Sequence, residues 1–322
     1  MTHRLDDKWV WDFWFAQDGC DYHIFYLQAP RSLIDPNLRH KHATIGHAVS
    51  ADLCHWDVLP DALTPASDDR AWDNFTTWTG SVIGHLGIWH MFYTGTSHAE
   101  KGLVQRIGVA TSDNLVSWKR YEENPVIIIN RLWYEMLNLD LWHEQAWRDP
   151  YIFHYNGRFH ALITARANLG EPSGRGVIGY AYSENLINWD VQAPITEPGE
   201  FGNLEVPQIV QIGKYWYIFF SVEYTRFSKA RRMPLGKKQQ SGIHYLVSEQ
   251  PFGPYTFLTD DFLLGDSACT KYSGKMIQNP KGEWVLVVCN HFALNSEFQG
   301  EISDPIPIRQ ESEGRILIDI CS

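Results

Sequence analysis

The chain has no apolar run near the ~18 residues that a membrane-crossing helix needs. Charge is scarce, 20% of 322 residues, and unbalanced: 27 Lys and Arg stand against 38 Asp and Glu, a net charge of −11. Binding to nucleic acid or to an anionic membrane requires a basic face, so neither partner is expected. The five cysteines (Cys20, Cys54, Cys269, Cys289 and Cys321) are odd in number and none has C-x-x-C spacing. They build no disulfide framework and read as the reduced thiols of a cytoplasmic protein. The opening stretch, MTHRLDDKWVWDFW, has no apolar h-region, so no secretory signal is expected. H-E-x-x-H, Walker and G-x-S-x-G motifs are missing and the 14 histidines are scattered, so neither metal nor cofactor is expected. Gly174–Gly179 spells G-x-G-x-x-G but leads into a strand pattern, which fails the context of a dinucleotide fingerprint. Helical periodicity of useful length is missing too. Aromatic residues, in contrast, make up 14% of the chain, which excludes disorder.

What is present is a repeat. IGHAVSAD, IGVATSDN, IGYAYSEN and IHYLVSEQ start at Ile45, Ile107, Ile178 and Ile243, spaced by 62, 71 and 65 residues. The first three run on into Leu-x-x-Trp, ending at Trp56, Trp118 and Trp189; these tryptophans read as blade packing. Upstream of each copy lies an apolar-aromatic run, such as DYHIFYLQA from Asp21 or YWYIFFSVE from Tyr215, usually after a Gly turn. About ten residues before it stands a third family: WVWDFWF, TWTGSVI, WRDPYIF, LEVPQIV and YSGKMIQ. Each unit is therefore one four-stranded antiparallel blade, and five units predict an all-β, five-bladed propeller over 1–322, closed by a last strand within 314–319. A sandwich gives no reason for a repeat of this length.

In such a blade the first strand lines the central channel, and its start shares a rim with the loops between strands two and three and between blades. Counting back from the second strands places Asp12, Asp149 and Glu205 at one slot of blades 1, 3 and 4, with Gly80 or Ser81 and Gly274 in the others. At 38 acids in 322 residues, five slots should hold fewer than one. Each acid sits in apolar sequence, where an unpaired charge costs several kcal/mol. Three convergent carboxylates point to glycoside cleavage: one protonates the leaving oxygen, one attacks the anomeric carbon or activates water, and one stabilises the developing charge. The two reacting acids then need different environments.

These residues resemble a known group of enzymes. Trp147-Arg148-Asp149-Pro150 resembles the R-D-P signature of glycoside hydrolase families 32 and 68, and Val10-Trp11-Asp12-Phe13-Trp14 resembles the V-W-D-x-W motif of levansucrases. Tyr22–Tyr26, Gly46–Ser50 and Asp52–Trp56 are similar to invertases, Trp78–Ser81 to the [FW]-S-G-S stretch of both, and Glu205-Val206-Pro207 to their E-x-P motif. The invertase W-M-N-D-P-N-G motif has no match, and no counterpart of the family 32 C-terminal β-sandwich is seen. The resemblance implies a retaining β-fructofuranosidase-type hydrolase or transferase acting on sucrose or a short fructan, with its site at one end of the channel. Asp12 would be nucleophile, Asp149 transition-state stabiliser and Glu205 acid/base. Trp11, Trp14, Gln28, His47, Trp78, Ser81, Arg148 and Tyr272 would bind substrate.

Two rivals remain at this stage. An inverting family 43-like arabinanase or xylosidase uses the same three positions, although Arg148 before Asp149 argues against it. A non-catalytic sugar-binding propeller is the other. Arg226, Lys229, Arg231, Arg232, Lys237 and Lys238 crowd one loop beside Glu205, which adds a sugar phosphate to the candidate substrates. The long loop 121–145, with Trp133, Tyr134 and Trp142, is expected to wall the leaving-group subsite.

Overall fold

The turn that ends three of the repeats explains why they look alike. In Ser50–Leu53 and Ser183–Leu186 the serine Oγ accepts the leucine N–H at 2.9 and 3.0 Å. Asp52, Asn114 and Asn185 accept the next backbone N–H groups. The chain then reverses through a left-handed leucine (Leu53, Leu115 and Leu186, φ 62–66°). In two of the turns the following tryptophan ties the turn down: Trp118 Nε1 donates to Leu115 O and Trp189 Nε1 to Leu186 O. All three tryptophans pack against the cores between blades, as expected.

The computed structural model describes residues 2–232 and 239–319. Its strands fall in sequence order into five antiparallel sheets. The first strands are Lys8–Asp18, Thr76–His85, Trp147–Tyr155, Glu205–Ile212 and Lys271–Gln278. Each touches the first strands of the blades on either side, and the fifth touches the first, so they form a closed ring. Hairpins lead to the second strands, which begin at Asp21, Ile88, Arg158, Tyr215 and Trp284. The repeat sequences are the third strands, Thr44–Ser50, Arg106–Ser112, Gly176–Ser183 and Ser241–Ser248. Blade 5 uses Ile306–Gln310 there, adds Phe298–Ile302 against its second strand, and closes with Ile316–Ile318. The fold is the expected all-β five-bladed propeller. The G-x-G-x-x-G stretch enters a strand, and among the described residues no helix is long and apolar enough to cross a membrane. Four cysteines are free; Cys321 lies outside the described residues.

Apolar cores lie between neighbouring blades, filled by alternate residues of facing strands. The ring is locked where the chain start meets its end: His3 and Ile302 exchange two backbone hydrogen bonds at 2.8 and 2.9 Å.

Every first strand is irregular near its start. Regular pairing breaks after Trp11, Trp78, Arg148, Glu205 and Tyr272. These bulges turn successive side chains toward the channel in layers. The upper layer is Trp11, Trp78, Arg148, Glu205 and Tyr272. The next is Asp12, Thr79, Asp149, Val206 and Ser273, and two residues further come Trp14, Ser81, Tyr151, Gln208 and Lys275. The carboxylates thus occupy two layers, with Glu205 one residue higher than Asp12 and Asp149. The neutral partners of the acid layer are Thr79 and Ser273, not the Gly80, Ser81 and Gly274 expected from counting.

Gly80 lies at the blade 2 bulge, where an added Cβ would sit 1.9 Å from the carbonyl oxygen of Phe92. Gly80→Ala should therefore force the strands apart and cost about 1–3 kcal/mol, the usual range for overpacking. Urea denaturation should show a lowered midpoint at unchanged slope.

Candidate active site

The bulged ends surround a pocket of about 300 Å3. Asp12, Asp149 and Glu205 all line it, together with Trp11, Trp78, Arg148 and Tyr272. The other four residues expected to bind substrate lie elsewhere. Trp14 and Ser81 are on the right strands but one inward step too deep, and they line a lower cavity that shares no residue with the pocket. Gln28 is buried within blade 1, where its amide donates to Thr44 Oγ1 at 3.2 Å. His47 is buried against the Phe25 ring and bonded to His23 at 2.9 Å. Neither lines the pocket, although Leu27, next to Gln28 on the second strand, does.

Asp12 is held by its neutral neighbours in the ring. Ser273 Oγ donates to Oδ1, and Thr79 Oγ1 to Oδ2 at 3.4 Å. Burial raises its pKa and the nearby Glu205 charge adds to this, while the Ser273 bond and Arg39 oppose it. Asp149 sits in the left-handed region (φ 56°), a conformation that side chains rarely adopt without compensation. Its compensation is local: its N–H donates to Thr94 Oγ1 at 3.0 Å, and its Oδ2 accepts from Thr164 Oγ1 at 2.8 Å and Val206 N at 3.1 Å. Burial pushes Asp149 up to about 6 against the pull of Arg148.

Arg148 organises the rest. Its Nη1 donates to Glu144 Oε1 at 2.7 Å and Gln105 Oε1 at 3.0 Å, its Nη2 to Glu205 Oε1 at 2.6 Å, and its Nε lies 3.5 Å from Asp149 Oδ2. The other oxygen of Glu205 accepts from Tyr272 at 2.5 Å. Burial would raise Glu205, but Arg148 and Tyr272 outweigh it and hold its pKa below the ordinary glutamate value. Beneath the carboxylates, buried Lys275 donates to Val206 O at 2.7 Å; burial lowers it to about 8.

The rim comes from loops. Arg39 and His40 enter from blade 1, Glu223 and Arg226 from blade 4, and His143 and Glu144 from the long loop. That loop builds its wall with His143 and Glu144 near its end rather than with its aromatics. Tyr134 is fully buried against Trp147, and Trp142 lies under the guanidiniums of Arg166 and Arg226. Of the basic loop, Arg226 alone lines the pocket; Arg231 is buried against Glu200 and Lys229 pairs with Glu171 at 3.3 Å. Lys237 and Lys238 lie outside the described residues. Asp12 is the fifth residue of its strand, Thr79 the fourth and Ser273 the third, so the strand starts give no register that would reveal Thr79 and Ser273. Glu144, Glu223 and Arg39 carry no sequence signal.

The model of the glycosyl hydrolases family 32 N-terminal domain matches residues 14–291. An acid β-fructofuranosidase of Capsicum annuum is 39% identical over 113 residues, covering 33% of this chain and 16% of that protein. The alignment thus spans about one sixth of the relative's length. Among solved structures, an inulosucrase from Halalkalicoccus jeotgali bound to kestose superposes with a TM-score of 0.77 at 21% identity, over 98% of this chain and 87% of that one. A sucrose-6-phosphate hydrolase from Lactobacillus gasseri gives 0.73 at 19%, over 99% and 62%. At these identities the likeness is one of fold.

Arg148 lowers both Asp149 and Glu205. In Arg148→Gln both carboxyl midpoints, followed by NMR titration, should move up from their wild-type positions. Unmoved midpoints would contradict the network.

Proposed function

The chain belongs to glycosyl hydrolase family 32, and we propose that it is a retaining β-fructofuranosidase-type enzyme that cleaves or transfers a fructosyl unit from sucrose or a short fructan. The observation that carries this reading is the meeting of Asp12, Asp149 and Glu205 in one pocket with Arg148 against two of them. Asp12 attacks the anomeric carbon while Glu205 gives a proton to the leaving oxygen. Glu205 then takes a proton from water or an acceptor sugar, which displaces Asp12. Asp149, fixed by Thr164 and Val206, holds its charge against the oxocarbenium-like centre.

The protein's own groups set the two reacting carboxyls in the reverse of the order needed, Asp12 raised and Glu205 lowered. A bound sugar corrects this by competing for Arg148. Once the guanidinium donates to ring hydroxyls, Glu205 loses its cation and its contact with water, and its pKa rises. A neutral Glu205 in turn removes the repulsion that raises Asp12.

Charge favours a neutral sugar. Among the described residues, five carboxylates line the pocket (Asp12, Glu144, Asp149, Glu205 and Glu223) against three guanidiniums (Arg39, Arg148 and Arg226). A phosphorylated donor would add charge of the majority sign, and of the described residues of the basic loop only Arg226 lines the pocket.

A panel of sucrose, sucrose phosphate, inulin, levan and aryl arabinosides tests the proposal. Sucrose or fructan should be turned over with retention at the anomeric carbon, and sucrose should exceed its phosphate in kcat/KM. Inversion, or turnover of the arabinosides alone, would reject it. Asp12→Ala and Glu205→Ala should each abolish measurable turnover while circular dichroism stays that of the parent. The basic limb of the pH profile should lie higher in kcat, which reports the complex, than in kcat/KM, which reports the free enzyme.

A further inference from the structure

A second cleft, about 790 Å3 in volume, opens on the outer part of blade 3. Tyr180 and Tyr182 stand two residues apart on the third strand, so their rings share one face, roughly 7 Å apart. Each is fixed through its hydroxyl, Tyr180 to His160 Nδ1 and Tyr182 to Asp190 Oδ2, both at 2.8 Å. Phe252, on the tight turn of blade 4, is 39% exposed and lies 5.6 Å from the Tyr180 ring. Trp133, 38% exposed, borders the same cleft. Planar hydrogen-bonding groups interleave these rings: Asn156, Arg158 and Gln192 line the cleft, with the Arg158 guanidinium 5.1 Å over Tyr182.

Exposed aromatic surface in such a patch marks a place where something stacks. A lipid or an apolar helix would need an uninterrupted trough, which the amides and guanidinium break. A polyanion would need cations in excess, yet Arg158 is offset by Glu184 at 3.4 Å. Flat rings alternating with planar donors suit a ligand with apolar C–H faces and edge hydroxyls, which is a sugar chain. The cleft reaches the hairpin end of the first strand of blade 3 at Tyr155, Asn156 and Arg158, the opposite end of that strand from Arg148 and Asp149 in the catalytic pocket.

We propose that this cleft is a secondary binding site for polymeric fructan, which it tethers to the outer, far end of blade 3 and so raises the concentration of chain ends around the molecule. The choice of fructan rests on the function proposed above; the cleft itself does not.

Electrophoresis through gels containing levan or inulin, with dextran as control, tests it. The parent should be retarded by fructan. Tyr182→Ala with Phe252→Ser should lose about fivefold of that retardation, the size of a lost aromatic stack. Asn156→Ala with Gln192→Ala, at one exposed and one half-buried position, should lose part of it. In both variants kcat/KM should fall several-fold for levan and stay within about twofold of the parent for sucrose, whose short length spans no second site. Three results would overturn the proposal: a parent that fructan does not retard, retardation that the folded variants keep, or a parent dimer that the variants break in sedimentation, which would make the cleft an interface between copies. Sucrose turnover without retardation sinks the cleft alone. Retardation without turnover of any fructoside sinks the catalytic reading and leaves the cleft.

Discussion

The site depends on one repeated backbone event: the head of each first strand bulges, and in blades 3, 4 and 5 the peptide N–H freed by the bulge is caught by the blade before it. Asp149 N reaches Thr94 of blade 2, Val206 N reaches the carboxylate of Asp149 in blade 3, and Ser273 N reaches Ser221 of blade 4. A left-handed residue at each of these points (φ 50–56°) costs free energy that side chains seldom accept, and a β-branched valine least of all. The hydrogen bonds across blades offset it. They also fix each blade's rotation about the channel, so the side chains converge at the rim. In Asp149 the two roles coincide, because its Oδ2 is both a channel carboxylate and the acceptor that holds the next blade.

Five carboxylates around a pocket of about 300 Å3 cannot all be ionised without compensation. Arg148 supplies most of it, touching Glu144, Glu205 and Asp149 at once. Lys275 works from below: its ammonium is anchored on Val206 O and Pro207 O, and its charge opposes those of Asp149 and Asp12. The neutral members of the layer are as necessary. Thr79 and Ser273 flank Asp12 because blades 2 and 5 flank blade 1, and a carboxylate in either place would put like charges side by side. The pattern of acid and hydroxyl around the ring is thus set by electrostatics as much as by chemistry.

How much of this was legible in the sequence follows from the physics of each part. The blades were, because their turns need particular residues: a Ser or Asx to catch free N–H groups and a tryptophan to cover the turn. The three acids were, because charges in apolar sequence stand out. Their height was not, since a bulge shifts side-chain parity by one residue and no composition signal marks where it falls. The same shift put Trp14 and Ser81 a layer too deep and hid Thr79 and Ser273. Gln28 and His47 misled for another reason: a matching motif can be shared because it packs a blade, and these two lie within blade 1. Loop residues such as Arg39 and Glu144 belong to no repeat, and only folding brings them to the pocket.

That division has a consequence for how the molecule can vary. The ring layers are locked on both sides by neighbouring strands, so a change of volume or charge there propagates to the next blade through a hydrogen bond or a core. The rim residues are held by loops and outer strands: Arg39 by Pro36 O of its own loop and the Phe298 ring of blade 5, and Trp142 by the cations of Arg166 and Arg226. A substitution in these loops alters what surrounds the leaving group while leaving the carboxylates in place. What the pocket admits can therefore vary with less disturbance of the ring than a change in the ring itself would bring. The longest loop carries this furthest, since 121–145 contributes to the pocket wall with His143 and Glu144, to the core of blade 3 with Tyr134, and to the outer cleft with Trp133.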